Sequence, residues 1–172
     1  MASTTSGLLF LTSEDFRLND SNQMLCNIRG FSLILFYSTQ CKFCKDLIPI
    51  FKKLPGSIGG CQFGMINISH NKKCIMLSQK SNTPIREVPY VILYVNGAPY
   101  VRYNGPHDPQ QIINFIIEVA NKYKKEQSLK QNNVNNNTTT KKKSSIPEYT
   151  TGKPLCGQDD VCYLDFDKAY TK

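Results

Sequence analysis

The stretch Phe31-Ser32-Leu33-Ile34-Leu35-Phe36-Tyr37 is apolar at nearly every position. An amphipathic strand would alternate, so this run predicts a strand covered on both faces, as in the parallel part of a sheet with helices on either side. Four residues later the period changes. Phe43, Leu47, Ile50, Phe51 and Leu54 fall on one face of a helix that begins at Cys41 and carries Pro49, a residue that kinks helices. A buried strand running directly into an amphipathic helix places the chain in the α/β class.

The rest of residues 1–124 follows the same alternation. Leu8 to Leu11 reads as a short strand, and Ser13 as the cap of a helical segment through Ser13-Glu14-Asp15-Phe16. Phe63 to Ile68 reads as a strand and Asn71 to Ser81 as a weaker helix. Val88 to Val95 reads as a strand that turns at Asn96-Gly97 into Tyr100 to Tyr103. A last helix is signalled by Asp108 as N-cap, Pro109 at the first position and Gln111 as capping-box partner. Its apolar stripe is Ile112, Ile113, Ile116, Ile117, Ala120 and Tyr123. The expected order is β-α-β-α-β-α-β-β-α.

After Tyr123 the composition shifts to Asn, Thr, Lys and Ser, so residues 125–145 read as a low-complexity linker unable to offset the entropy of ordering. Residues 146–172 recover complexity but are too few for a core of their own; they carry Cys156 and Cys162 within an acidic, partly apolar tail. A short disulfide-closed terminus, a disordered terminus and a segment that returns to its own body are all open readings of it.

The net charge of +8 raises the question of nucleic acid, and its distribution argues against specific recognition. Residues 1–120 hold 11 basic and 7 acidic side chains, residues 121–145 hold 7 and 1, and residues 146–172 hold 3 and 5. Most of the excess therefore sits in residues 121–145, leaving the body mildly basic, and Arg is scarce, which limits bidentate contacts to phosphates and base edges. No apolar run approaches the roughly 20 residues of a membrane span. The amino end lacks the basic n-region of a secretory signal, so a cytoplasmic protein is expected. The Asn, Lys and Ile bias fits an AT-rich coding genome such as that of a parasite or a large DNA virus, which adds the virion as a compartment.

Chemistry concentrates in Cys41-Lys42-Phe43-Cys44. At the start of a helix, unpaired N–H groups and the helix dipole favour negative charge on the first sulfur, and Lys42 and Lys45 add positive charge. The second sulfur lies one turn on, close enough to resolve a mixed disulfide. Cys41 is thus expected to attack a substrate disulfide and Cys44 to release the product. A zinc site drawn from Cys41, Cys44, Cys61, His70 and Cys74 is the competing reading; it separates Cys61 from His70 by a strand and leaves the prolines unexplained. No metal or cofactor is expected. Cys26, Cys61 and Cys74 read as small core residues, and His70 and His107 as solvated.

From Leu8 to Tyr123 the chain resembles a thioredoxin domain. Phe36-Tyr37-Ser38-Thr39-Gln40-Cys41-Lys42-Phe43-Cys44-Lys45 is similar to the family's active-site segment, Pro49 to its helix-kinking proline, and Ile85-Arg86-Glu87-Val88-Pro89 to the stretch ending in its cis-proline. The opening Leu8 to Phe16 is similar to its first strand and helix. The resemblance implies a thioredoxin fold, a mixed sheet flanked by helices. It also implies a protein-disulfide oxidoreductase that works as a monomer with an electron donor or acceptor, and in which Gln40, Val88 and Pro89 meet the substrate. The departures are Gln40 in place of the usual Trp, Lys42-Phe43 in place of Gly-Pro, and Leu35 and Met65 in place of a buried acid and its Lys partner. A non-catalytic module that keeps the cleft for a partner is the alternative they leave open.

Overall fold

The computed structural model describes residues 7–132 and 148–150. Its centre is the strand β4 (Phe31–Tyr37), hydrogen-bonded on one side to β5 (Cys61–Asn67) in parallel and on the other to β6 (Tyr90–Val95) antiparallel. Outside β5 lies β1 (Leu8–Phe10), outside β6 lies β7 (Ala98–Asn104), and outside β7 lies β8 (Glu148–Thr150). This gives the order β1-β5-β4-β6-β7-β8. The mixed sheet is that of the thioredoxin fold.

The two faces of β4 feed two cores, because successive side chains of a strand point oppositely. Leu33 and Leu35 face α1 (Lys42–Lys52) and α3 (Pro109–Asn132), where Leu47, Phe51, Ile112, Phe115, Ile116 and Val119 complete one cluster. Ile34 and Phe36 face the other way, toward Phe16, Met24, Cys26, Ile66, Cys74 and Tyr94; α2 (Lys72–Lys80), which carries Cys74, lies on that side. Ser32 is the one polar residue in the strand and is fully buried.

Four expectations are corrected. The segment after β1 is a single 3-10 turn, Ser13–Asp15, capped by Thr12 rather than Ser13, with the Asp15 carboxylate accepting from the Thr12 N–H at 2.8 Å. In place of a helix the chain then forms a hairpin, β2 (Phe16–Leu18) with β3 (Met24–Cys26). Asn19-Asp20-Ser21-Asn22 was the signal for it. The Asn19 side chain accepts from the N–H groups of Ser21 and Gln23, and Asn22 turns the chain at φ 56°. Ser13 caps a different element, its hydroxyl accepting from the Cys74 N–H in the first turn of α2 at 3.1 Å.

In α1, Phe43 is off the core stripe, 67% exposed. In α3, Ile117 is exposed, while Phe115 and Val119 are buried with Ile112 and Ile116. Asp108 does cap α3, accepting from Gln111 N–H at 3.0 Å. The helix runs eight residues past the expected body boundary at 124, because Lys124, Lys125, Glu126, Gln127, Leu129 and Lys130 are all good helix formers. The rest of the expected linker, residues 133–145, and the tail other than β8 lie outside the described residues.

Two predictions follow from the packing. Gly97 sits at φ +82° where a Cβ would collide with the Cys26 carbonyl, whereas Gly30, at φ +73°, has open space around it. Gly97→Ala should therefore cost about 3 kcal/mol or more in urea unfolding, and Gly30→Ala only the left-handed strain of about 1–2 kcal/mol. Burial pushes the Cys26 thiol up to about 11 and the Cys74 thiol to about 12. The folded state thus holds these protons more tightly than the unfolded chain. Stability from these thiols should be complete below about pH 9 and fall as pH rises toward 11, visible as an alkaline drop in the urea midpoint.

Candidate active site

The site is built at the C-terminal end of β4. The chain leaves Tyr37 through Ser38-Thr39-Gln40 and re-enters regular structure with Cys41 as the N-cap of α1, at φ −82° and ψ 121°. This short connection is tied down twice. The Ser38 and Ser69 hydroxyls share a hydrogen bond of 2.7 Å, joining the loops after β4 and β5, and the Cys41 N–H donates to the Ser38 carbonyl at 3.2 Å. Neither serine was picked out from the sequence, since a Ser in a loop carries no signal until its partner loop is known.

As N-cap, Cys41 takes the place usually filled by Ser, Thr, Asp or Asn, and its sulfur does the work of their oxygen. Cys41 Sγ accepts from the backbone N–H of Cys44 at 3.2 Å. On its other side Sγ lies 3.5 Å from the Val88 carbonyl, to which the thiol donates. Cys41 is half-buried and Cys44 fully buried, so the first sulfur has access to solvent and the second sits behind it. Both are unbridged thiols.

Burial is the main reason the Cys44 thiol is pushed up to about 12. Its contact with Cys41 raises it further, and a hydrogen bond with the Ser38 backbone opposes both only in part. Leu35 and Met65 face each other across the β4–β5 ladder, both buried in the α1–α3 core. Neither of these two side chains can accept a proton.

The second wall comes from the turn before β6. Val88 and Pro89, joined by a cis peptide bond, are half-buried and precede Tyr90, the first residue of the strand. The Val88 contact to Cys41 brings together the two segments, 47 residues apart, that the sequence singled out. Next to this wall Arg102 reaches back from β7, its guanidinium 2.7 Å from Glu87 and 4.5 Å over the ring of Tyr90. The sequence reading missed this clamp; an Arg within a strand gives no hint of the residue it will meet. Gln40 is exposed beside Cys41, and its N–H donates to the Ser38 hydroxyl at 3.3 Å. Phe43 projects into solvent between the two cysteines in sequence.

The residues of the zinc reading do not converge. Cys61 opens β5 opposite Phe31, at the far end of the sheet from Cys41, and Cys74 is buried on the opposite face from α1. Among the described residues no three His, Cys, Asp or Glu side chains are grouped as metal ligands. Burial raises Cys61 to about 12, as it does Cys74, so neither thiol ionises readily near neutrality. Among the described residues, no helix is long and apolar enough to cross a membrane.

Comparison with known proteins agrees with this geometry. The chain is 37% identical over 141 residues to uncharacterized protein 196R of Invertebrate iridescent virus 6, covering 82% of this chain and 75% of the relative. It is 31% identical to uncharacterized protein 020R of Invertebrate iridescent virus 3, over 99% of this chain and all of the relative. It is also 29% identical over 119 residues to the rice protein disulfide isomerase-like 2-3, covering 67% of this chain and 26% of that one. The thioredoxin family model matches residues 12–118, a span that holds β4, the cysteine-capped α1 and the Val88–Pro89 turn, and the chain belongs to the thioredoxin family.

Proposed function

We propose that the protein is a thiol-disulfide oxidoreductase acting on protein disulfides, with Cys41 as nucleophile and Cys44 as resolving thiol. The observation that carries this reading is the asymmetry of the pair. One sulfur is accessible and accepts a hydrogen bond from a helix-terminal N–H; the other is buried, protonated and one turn away. The likeness to a protein disulfide isomerase-like relative supports the same chemistry.

In the reaction the Cys41 thiolate attacks one sulfur of a substrate disulfide. A Cys41–substrate disulfide forms and the other substrate sulfur leaves as a thiolate, which takes a proton. The free N–H groups at the start of α1 and the charges of Lys42 and Lys45 stabilise the attacking sulfur. Val88 lies just before β6 and outside its ladder, so its backbone is placed to pair with an extended substrate segment beside Cys41, with Pro89, Gln40 and Phe43 forming the rim. Cys44 then loses its proton and attacks Cys41 Sγ, which closes the Cys41–Cys44 disulfide and frees the substrate thiol. An external dithiol or disulfide couple restores the starting state.

Two measurements test this reading. Cys41→Ser should abolish reduction of a model protein disulfide, and Cys44→Ser should accumulate mixed disulfides with substrate; full activity in both variants would overturn it. Because burial holds the Cys44 thiol up at about 12, its thiolate fraction should rise about tenfold per pH unit between pH 7 and 9. The release step, followed by loss of the mixed disulfide, should rise with the same slope, more steeply than in relatives with a buried acid. A flat profile would mean that another group takes the proton.

A further inference from the structure

Charge is shared unevenly around Cys41. Lys42 and Lys45 stand in the first turn of α1, both exposed, and Arg86 is exposed in the turn that leads to Val88. Lys45 lies about 6 Å from Cys41 along the helix axis. Arg86 is two residues, at most about 7 Å, from Val88, whose carbonyl Cys41 touches. These cations therefore stand near one Debye length of the sulfur, about 10 Å at 0.1 M salt.

Most acids at this end of the sheet are already engaged. Glu87 holds Arg102 at 2.7 Å, Glu14 holds Lys73 at 2.9 Å, and Asp15 and Asp108 accept the N–H groups of Thr12 and Gln111. Asp46, one turn beyond Lys42 on α1, is exposed and offsets part of the surplus. Among the described residues no ion pair holds Lys42, Lys45, Asp46 or Arg86. Three cations against one acid leave positive charge around the approach to Cys41.

Phe43 supplies a different contact. It is 67% exposed in the first turn of α1, while Cys44 and Leu47 take the buried side of the helix. A large aromatic ring left in water beside the attacking sulfur gains from being covered. Gln40 and Pro89 complete the rim and carry no charge.

We propose that the substrates are disulfides set in acidic segments, with an apolar side chain beside the cysteine to cover Phe43. The proposal rests on the oxidoreductase reading of Cys41 and adds selectivity to it. Lys42, Lys45 and Arg86 attract a carboxylate-rich segment and repel a lysine-rich one before the sulfurs meet. The preference thus sits in the rate of encounter and fades as salt rises. Phe43 acts at contact, through buried hydrocarbon, and its share persists in salt.

The test uses the full-length Cys44→Ser protein and short peptides whose single cysteine is joined by a disulfide to 2-thiopyridine. The Cys41 thiolate attacks the peptide sulfur, a Cys41–peptide disulfide forms, and pyridine-2-thiolate leaves and takes up a proton to become the absorbing thione. The leaving group is the same for every peptide. One peptide places Leu and several Glu beside the cysteine, a second Leu and Lys, a third Leu and Gln. Each rate is divided by that of 2-mercaptoethanol with the same peptide, which removes the effect of the flanking charges on the disulfide itself. Mass spectrometry assigns the adduct to Cys41.

At about 20 mM salt the Glu peptide should react roughly tenfold faster than the Lys peptide, with the Gln peptide between, and at about 500 mM the gap should close to about twofold. Arg86→Gln should narrow the low-salt ratio about threefold. Phe43→Ala should slow the Glu peptide about threefold more than a version with Ser in place of Leu, at either salt. Equal rates for the Glu and Lys peptides, or a faster Lys peptide, would overturn the acidic preference while Cys41 remains a nucleophile. So would a ratio that neither salt nor Arg86→Gln moves. Equal slowing of the Leu and Ser versions would remove Phe43 from the contact. If no peptide joins Cys41, the oxidoreductase reading falls and this one with it.

Discussion

Two-sided burial of β4 is the constraint on which the molecule depends. Leu33, Ile34, Leu35 and Phe36 are each fully excluded from water. At roughly 1.5–3 kcal/mol for each large apolar side chain, the strand holds its depth and register tightly. One residue of slippage would exchange the two cores, since every side chain would change face. The position of Cys41 inherits that rigidity. It follows the last residue of β4 by only four positions, and the Ser38–Ser69 pair and the Ser38 carbonyl fix the intervening turn.

The pairing of Leu35 with Met65 changes the character of the site without disturbing the scaffold. A buried acid facing a buried lysine would have to be desolvated together, and losing only one partner would strand a charge; two apolar residues avoid that cost altogether. What is given up is a proton acceptor. In the proposed reaction, proton transfer would fall to solvent or to the substrate, while burial holds Cys44 as a thiol.

Legibility from sequence followed the kind of interaction. The β4 run, the cysteine pair at a helix start, Pro49 inside α1, the Asn96-Gly97 turn and the Asp108 cap all depend on residues close in sequence, and each could be read. The hairpin Phe16–Cys26 could not, because Ser13-Glu14-Asp15 is a good helix start and only the Asn-rich turn after Leu18 argues otherwise. Phe43 was placed in the core because helical periodicity cannot tell which side of a stripe borders solvent. The contact of Val88 with Cys41, the Ser38–Ser69 bond and the Arg102 clamp join distant segments; the first was accessible through family resemblance, the others only through the fold. β8 was hidden for a further reason. Three residues of edge strand owe their conformation to backbone pairing with β7, and nothing in Glu148-Tyr149-Thr150 alone demands it.

The same pairing has a meaning for how this molecule behaves in a crowded solution. A sheet edge with unsatisfied donors and acceptors is a template for other chains. Here β7 is divided between two protections. Pro99 near its start has no N–H to offer, and Arg102 to Asn104 at its end are taken by β8. On the opposite side β1 extends for only three residues. Among the described residues the sheet therefore presents no long ladder on either flank, and the pairing of β8 with β7 also keeps neighbouring chains from adding a strand there.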